Sequence, residues 1–389
     1  MIGGSSVANR HSTAQNIAGP AEYFERALGA AAAACERPGA TVKCINLGGG
    51  RRGILHFCDS ALEKILYAAL AHQELPNGRI EPDFKILAWD SLHSGVPMWS
   101  PPWTTDDYLA RGEIAGYNDE RFRAVFQLDS RVLSLYDANR RIGLWWTQDF
   151  AQLPLYERAA PFLLLFHWWH ALNNHHSFLL HAAAVGTENG SGLLLAGRSG
   201  TGKSTTALAS LVDGDLFYVA DDYCIVRAGA ERPTVYSLYC SAKLDSKTLA
   251  SFPRLGHKAS FDEIGRDPEG KIAFDLYRSF PHSLRKKLPL CAILLPRVPK
   301  DKNGTRPNRF TPVGSGTAVR ALAPSTLFQL PGAGPNNFRM IAALANRLPC
   351  FQLELGGEIA SVSQSLRQFM ECLTLNERTT PNQRNHSCF

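Results

Sequence analysis

The sequence has no long apolar segment. Its longest apolar stretch, residues 159–172, contains Pro161, His167 and His170, and it falls short of the ~18 uninterrupted apolar residues that a membrane-spanning helix needs. Residues 1–20 are small and polar, and they lack the basic region followed by an apolar one that marks a secretory signal. These absences argue against a membrane partner and predict a cytoplasmic protein.

Cysteine pairs at metal-binding or redox spacing are also missing. The chain has nine cysteines, an odd number, and no two of them form a C-x-x-C pair. A disulfide framework uses an even number of cysteines, and a zinc knuckle uses C-x-x-C pairs. We therefore expect reduced thiols.

The charge is modest and lacks long blocks of one sign. The 41 basic and 35 acidic residues leave a formal net charge of +6. The densest basic cluster, residues 278–287, includes Arg285, Lys286 and Lys287. We interpret this cluster as a solvated face, with contact to an anionic partner as the alternative. Nucleic-acid binding is not indicated.

The length of 389 residues exceeds what a single hydrophobic core usually supports. We divide the chain into a flexible arm (1–20), an α+β domain (21–165), an α/β domain (166–375) and a disordered tail (376–389). Periodicity predicts helices over 21–35, 60–72, 153–174, 203–212, 317–322, 337–347 and 357–372. Strands are predicted over 44–47, 53–58, 84–89, 113–117, 122–128, 132–136, 142–146, 178–185, 193–196, 216–226, 234–239, 271–276, 290–295 and 350–355.

Two glycine-rich stretches follow predicted strands, and they differ in what comes next. The first, Gly48 to Gly53, lacks the spacing of a dinucleotide-binding fingerprint and a helix after it, so we interpret it as a mobile hairpin and keep a phosphate site as the alternative. The second, Gly197 to Thr205, joins a strand to a helix and matches the phosphate-loop pattern G-x-x-x-x-G-K-[ST] without departure.

The phosphate loop predicts a site for ATP and Mg²⁺. Its glycines let backbone N–H groups surround a polyphosphate, and the helix that follows points the positive end of its dipole at the same anion. Lys203 can reach the outer phosphates and Ser204 can hold Mg²⁺. The expected nucleotide contacts are Gly197, Arg198, Ser199, Gly200, Thr201, Gly202, Lys203, Ser204 and Thr205.

Three residues outside the loop are predicted to join it. Asn189-Gly190 predicts a hairpin between strand 178–185 and the strand of the loop, with His181 opposite Arg198. The adjacent carboxylates Asp221 and Asp222 interrupt an apolar strand and can both reach the site only if that strand bends. A metal site with one surface aspartate is the alternative.

These residues resemble the catalytic domain of the HPr kinase/phosphorylase family. The resemblance rests on His181-Ala-Ala-Ala-Val, the phosphate loop and Val219-Ala-Asp-Asp222, and it is strongest for HPr-kinase-like serine kinases, including kinases of lasso-peptide precursors. It implies an α/β, phosphoenolpyruvate-carboxykinase-like kinase domain with a mixed sheet, here preceded by a smaller α+β domain. Bifunctional family members carry Glu where this chain has Thr205.

The resemblance implies transfer of the γ-phosphoryl group of ATP to a hydroxyl group. Asp221 is expected to act as the general base, Ser204 and Asp222 to hold Mg²⁺, and His181 to orient or relay the proton. Lys203 is expected to neutralise phosphate charge. Independently of the resemblance, Lys243, which follows the strand predicted over 234–239, is a candidate for a second phosphate-contacting cation.

The expected acceptor is a serine of a protein or peptide, and residues 21–165 are assigned an acceptor-binding or lid role. A small-molecule kinase and a nucleotide-binding regulator without transfer remain alternatives. A homo-oligomer is compatible with the sequence, which leaves the oligomeric state, the nucleotide base and any reverse activity open.

Overall fold

The computed structural model describes residues 18–76, 81–213, 216–229, 231–245, 248–249, 252, 263–267, 270–299, 306–356 and 358–378. Most of the predicted arm, residues 1–17, and the end of the predicted tail, residues 379–389, lie outside the described residues. The last helix continues to Arg378, so residues 376–378, which we assigned to the disordered tail, are helical.

The first half of the chain forms a seven-stranded sheet with helices beside it. The helices are α1 (Pro20–Cys35), α2 (Ser60–Tyr67) and α3 (Ser91–Ser94), with 3-10 helices at Ala68–Gln73, Thr105–Asp107 and Phe150–Gln152. The strands are β1 (Thr41–Asn46), β2 (Arg52–Phe57), β3 (Glu74–Leu75), β4 (Phe84–Asp90), β5 (Phe122–Gln127), β6 (Val132–Asp137) and β7 (Ile142–Thr147). The strand order is β3-β1-β2-β4-β7-β6-β5, with β4 parallel to both of its neighbours.

Local signals explain several of these elements. Asp59 caps α2, because its carboxylate accepts from the N–H groups of Ala61 and Leu62 at 2.8 Å. The hairpin of β1 and β2 is confirmed, with Asn46 paired to Arg52. The strand predicted over 113–117 is wrong. That segment makes only isolated bridges, because Gly112 and Gly116 turn the chain with φ of 77°.

The helix predicted over 153–174 is two helices, α4 (Leu155–Ala159) and α5 (Leu163–Asn173). Pro161 causes the break, because the residue before a proline is disfavoured in helical conformation. Ala160 accordingly leaves the helical conformation, with φ of −139° and ψ of 61°, and Phe162 is left-handed, with φ of 59°. Helix α5 packs between the first sheet and the second one, and its tryptophans are buried.

The second half contains a nine-stranded mixed sheet and a separate three-stranded sheet. The nine strands are β8 (Phe178–Leu180), β9 (Ala183–Gly186), β10 (Gly192–Leu195), β11 (Phe217–Ala220), β12 (Cys224–Arg227), β13 (Thr234–Ser237), β17 (Lys287–Arg297), β18 (Arg309–Val313) and β19 (Cys350–Glu354). The other three are β14 (Ser241–Asp245), β15 (Glu263–Arg266) and β16 (Lys271–Asp275). The helices are α6 (Lys203–Asp213), α7 (Leu276–Ser279), α8 (Ser315–Leu327), α9 (Pro335–Arg347) and α10 (Ala360–Arg378), with a 3-10 helix at Pro281–Ser283.

Helices cover both faces of the larger sheet. Leu193 and Leu195 of β10 join the apolar cluster that includes α6 and α10, whereas Leu194 joins the cluster of α8 and α9. This alternation follows from the pleat of a strand, and both faces are apolar because both are covered. Strand β17 is parallel to β10 and β19 along one part and antiparallel to β13 along the other. The fold is therefore α/β with mixed sheets.

Two strands predicted as continuous are each broken in the middle. Strand 178–185 divides into β8 and β9 around His181, and strand 216–226 divides into β11 and β12 around Asp221 and Asp222. Strand β9 pairs with β10 and β11, while β8 pairs with β12. Both strands thus leave one part of the sheet and enter another, and the breaks lie side by side.

No helix among the described residues is both long and apolar enough to cross a membrane. The eight cysteines within that part of the chain are free thiols.

The contact between α5 and the first sheet gives a stability test. A Cβ atom added at Gly143 of β7 would lie 2.9 Å from the side chain of Leu165, which is fully buried. We expect Gly143→Ala to lower the free energy of unfolding by about 1–3 kcal/mol, because a packed core resists added volume. Gly29 lies on the exposed face of α1, and a Cβ atom added there would have no other atom within 4 Å. Gly29→Ala should therefore raise stability by about 0.5–1 kcal/mol. Equal free energies of unfolding for Gly143→Ala and Gly29→Ala in urea titrations would contradict this packing.

Candidate active site

The phosphate loop joins β10 to α6 in a conformation that favours glycine. Gly197 and Gly202 have φ of 151° and 103°. A Cβ atom at Gly202 would lie 2.7 Å from the side chain of Leu355. Among the described residues, Thr201 is the only one from Ser199 to Thr205 whose N–H donates to a protein acceptor. The remaining N–H groups are available to an anion, as a phosphate cradle requires.

Lys203 is buried at the base of the loop. Its Nζ donates to the carbonyl oxygens of Gly197 at 2.7 Å and Arg198 at 3.3 Å. Burial lowers the pKa of Lys203, while the charges of Asp221 and Asp222 oppose that shift. The ammonium group is thus held by neutral oxygens beside two carboxylates.

Asp221 contacts the phosphate loop directly. Its Oδ1 accepts from Ser204 Oγ at 3.0 Å and from the N–H of Asp222 at 2.9 Å, and the residue is 3% exposed. Burial, followed by the charge of Asp222, raises the pKa of Asp221. A hydroxyl and a carboxylate side by side at the first turn of α6 are the oxygen ligands that Mg²⁺ prefers. Ser204 and Asp221 therefore fit the expected metal.

Asp222 lies between two cationic or potentially cationic side chains. Its Oδ2 is 2.5 Å from Lys243 Nζ and its Oδ1 is 3.3 Å from His181 Nε2. Burial alone would raise the pKa of Asp222, but the charge of Lys243 and the hydrogen bond from His181 lower it far below its usual range. The left-handed backbone of Asp222, with φ of 68°, turns its side chain to the same cavity as Asp221. The predicted bend is confirmed.

His181 is fixed on several sides. Its backbone N–H donates to Thr326 Oγ1 at 3.1 Å. Its ring stacks on Tyr223 with centroids 5.2 Å apart, and the hydroxyl of Tyr223 donates to Gln329 at 2.7 Å. His181 Nδ1 is buried and has no hydrogen-bond partner among the described residues.

The hairpin of β9 and β10 is confirmed, although its register differs by one residue from the prediction. Val185 pairs with Leu193 and Ala183 with Leu195, and pairing ends before His181. His181 therefore owes its position to the break between β8 and β9 rather than to a partner in the hairpin.

A cavity of about 630 Å³ joins most of the predicted site. The predicted residues that line it are His181, Ser199, Gly200, Gly202, Lys203, Ser204, Thr205, Asp221, Asp222 and Lys243. Gly197, Arg198 and Thr201 do not line it. They shape the loop instead: Thr201 Oγ1 and N–H both donate to the carbonyl of Arg198, at 2.9 and 3.3 Å.

Other residues that line this cavity were not predicted from the sequence, and they come from the first half of the chain and from the segment after α8. These lining residues include Gln127, Ser134, Trp145, Tyr156, Glu157, Phe162 and Gln329. No sequence signal singles them out, because they are ordinary strand, helix and loop residues. They belong to a site only through tertiary contacts.

Glu157 is a buried carboxylate in the lining of this cavity. It accepts hydrogen bonds from Gln127 Nε2 at 2.8 Å and Ser130 Oγ at 3.1 Å. Burial raises the pKa of Glu157 from 4.5 to about 7, against the opposing effect of those hydrogen bonds. The cavity thus combines lysines and carboxylates at the loop with a further ionisable acid elsewhere in its lining.

No protein-family model and no curated protein matches this chain.

The raised pKa of Glu157 predicts a pH-dependent stability. Between pH 4.5 and about 7 the folded protein keeps a proton that the unfolded chain loses, so stability falls as the pH rises through this window. Glu157→Gln removes the cost of ionisation. In urea titrations at pH 8 we expect the free energy of unfolding of the variant to exceed that of the wild type by about 1–3 kcal/mol. Near pH 4.5 the two free energies should be equal. The control Glu36→Gln, at an exposed site, should follow the wild-type curve at every pH, and an unchanged slope in Glu157→Gln would contradict the assignment.

Proposed function

We propose that this protein is an ATP- and Mg²⁺-dependent kinase that transfers the γ-phosphoryl group to a hydroxyl group. One observation supports this most strongly. A phosphate cradle with free N–H groups, a serine–aspartate oxygen pair and a second carboxylate beside a histidine all face one cavity. Phosphoryl transfer needs a cradle for the phosphates, a metal and a group that handles the proton of the acceptor.

The residues suggest the kinase class as well as the reaction. A histidine on the strand before the phosphate loop and an aspartate pair after it are the features that resemble the HPr kinase/phosphorylase family. A mixed sheet covered by helices on both faces supports a phosphoenolpyruvate-carboxykinase-like kinase domain, preceded by the seven-stranded sheet. An ATP-dependent reaction also fits the cytoplasmic location that the sequence predicts.

Ser204 and Asp221 would hold Mg²⁺, since their oxygens are 3.0 Å apart at the start of α6. The metal supplies neutralisation of phosphate charge and orientation of the transferred group. Our sequence-based preference gave the metal to Asp222. The contacts favour Asp221, because Ser204 touches that carboxylate and Asp222 is engaged by Lys243 and His181.

Asp222 and His181 would handle the proton. The acceptor hydroxyl forms a new bond to the γ-phosphorus, the bond from that phosphorus to the bridging oxygen breaks, and ADP leaves. The hydroxyl proton passes to Asp222 Oδ1, next to His181 Nε2. The depressed pKa of Asp222 keeps it ionised. A weak base suffices, because the transition state is loose and the hydroxyl loses its proton late.

The two lysines divide the phosphate charge between them. Lys203 would exchange its two contacts with carbonyl oxygens for contacts with phosphate oxygens. The lysine of the phosphate-loop motif reaches the β- and γ-phosphates, and Lys203 occupies that position of the motif. Lys243 would contact the same anion while it orients Asp222. Both lysines are less exposed to solvent than a surface lysine, and the lower local dielectric strengthens their attraction to the phosphates.

The acceptor is proposed to be a serine of a protein or peptide, as in the serine kinases that the sequence resembles. One observation favours a small hydroxylated molecule as a second candidate. The cavity is also lined by Ser134, Trp145 and Glu157, each at most 5% exposed, and enclosed polar groups are typical of metabolite sites. In both cases the first half of the chain contributes to excluding water from the reacting groups.

Two conservative substitutions separate the roles of the aspartates. We expect Asp222→Asn to keep the affinity for Mg·ATP within about threefold and to reduce transfer by at least ~100-fold, because proton transfer contributes about 10²–10⁴-fold. Asp221→Asn should instead weaken the Mg²⁺-dependent part of ATP binding. Calorimetric titration of ATP with and without Mg²⁺, beside initial transfer rates, measures both.

Asp106→Asn serves as the control, because this exposed aspartate does not line the cavity. Loss of Mg²⁺-dependent binding in Asp222→Asn with normal binding in Asp221→Asn would restore the assignment first made from the sequence. Unchanged transfer in both variants would reject the carboxylate roles altogether.

The reaction itself is tested by its product. Incubation with γ-labelled ATP and Mg²⁺, together with serine-containing peptides and a pool of hydroxylated metabolites, should label one class of acceptor. Lys203→Ala should abolish the label, because the phosphate contacts are lost. ATP binding and ATP-dependent partner binding without any labelled product would favour the regulatory protein and overturn the kinase proposal.

A further inference from the structure

A second anionic-ligand site is suggested by two stretches that the kinase site does not use. The glycine turn between β1 and β2 meets the basic segment before β17, although more than 230 residues separate them in the chain. Two cavities of about 190 and 600 Å³ adjoin there and share Gly49, Gly50, Arg51, Arg227 and Tyr236. Small-molecule sites commonly have volumes of this order.

Five basic side chains line the larger cavity, and no acidic residue lines it. They are Arg51, Arg52, Arg227, Lys286 and Lys287. Arg51 pairs with Asp83 at 2.7 Å, whereas the other four form no ion pair within the described ranges. Four like charges converge from three separate segments, and each repels the others. A bound anion would remove that repulsion.

The glycine turn offers hydrogen-bond donors to the same space. Gly48, Gly49 and Gly50 have φ of 80°, 60° and 82°. The N–H of Arg51 donates to the carbonyl oxygen of Gly48 at 3.0 Å and closes the turn. A Cβ atom added at Gly48 would lie 2.8 Å from the ring of Tyr236. In the part of the chain that the structure describes, the N–H groups of Gly49 and Gly50 donate to no protein acceptor. Free amides among cations are typical of phosphate-binding turns.

This pocket is distinct from the kinase site. Arg227 ends the strand that begins just after Asp222, and five residues of extended chain span about 16 Å. Tyr223 and Ile225 between them are buried in the apolar cluster of the first half. A single small ligand therefore cannot reach both sites.

We propose that this pocket binds a small anion bearing at least two phosphate groups. Four unpaired cations require about four negative charges, and a phosphate monoester carries about −1.5 to −2 at neutral pH. Such a ligand contacts Arg52 and the glycine turn of the first sheet together with Arg227 and Lys287 of the second sheet. It links the two halves of the protein, and this inference does not depend on the kinase proposal.

Tripolyphosphate is the probe, and Lys203→Ala is the background that weakens its binding to the phosphate loop. We expect calorimetric titration of this background to show one remaining site and saturating probe to raise Tm by about 2–4 °C. Adding Arg227→Ser and Lys287→Ser should weaken that binding at least tenfold. Arg309→Ser and Arg320→Ser form the matched control, since both arginines are exposed and line neither cavity.

A charge-conserving pair, Arg227→Lys with Lys287→Arg, guards against loss of fold and should retain most of the binding, because both positive charges are kept. Absence of a second site in the Lys203→Ala background would overturn the proposal. Equal weakening in the control pair would reduce it to nonspecific charge attraction. Equal affinity for citrate would exclude a phosphate-specific site, and binding of a glutamate-rich peptide in place of tripolyphosphate would assign the pocket to a protein partner instead.

Discussion

Two adjacent carboxylates, the buried Asp221 and the partly exposed Asp222, are the constraint around which the site is arranged. Burial opposes the ionisation of both, and each is compensated by a different neighbour. Asp221 accepts a hydrogen bond from Ser204, and Asp222 is held by Lys243 and His181. The strand must break to let successive side chains turn to one cavity, since a regular strand would direct them to opposite faces. The need to compensate the charges of both aspartates therefore explains why the strand breaks between β11 and β12.

The broken strands also explain how the large sheet is built. At each break the chain passes between the part that contains β9, β10 and β11 and the part that contains β8, β12 and β13, and β17 pairs with both parts. The first break leaves His181 and Ala182 out of the ladders, and the second leaves Asp221, Asp222 and Tyr223 out, so these side chains can serve another use. His181 and Asp222 occupy these positions, and they meet because the two breaks are adjacent. The residues of the strands thus keep the sheet continuous, and the residues in the breaks supply side chains to the site.

The first sheet is part of the same architecture, because its core is shared with the second half. Tyr223, Ile225 and Tyr239 pack in the cluster that contains the residues of β4, β6 and β7. Through this contact Glu157 and Trp145 line the same cavity as the phosphate loop. The glycine turn of the first sheet likewise meets Arg227 on the other side of the junction. The cavity at the phosphate loop and the pocket at the glycine turn therefore both depend on how the two halves of the chain pack against each other.

The sequence by itself predicted the phosphate loop, most helices and strands, and the need for a bend at Asp221 and Asp222, because these depend on glycine conformation, periodicity and the cost of buried charge over a few residues. It predicted that His181 lies at the nucleotide cavity, but it assigned that position to a hairpin partner, Arg198, which His181 does not have, and not to the break between β8 and β9. The partner of each carboxylate, the wall with Glu157 and the convergence of Arg227 with Lys287 were decided only by tertiary structure. These contacts join residues tens to hundreds of positions apart, and no local pattern encodes the distance between them.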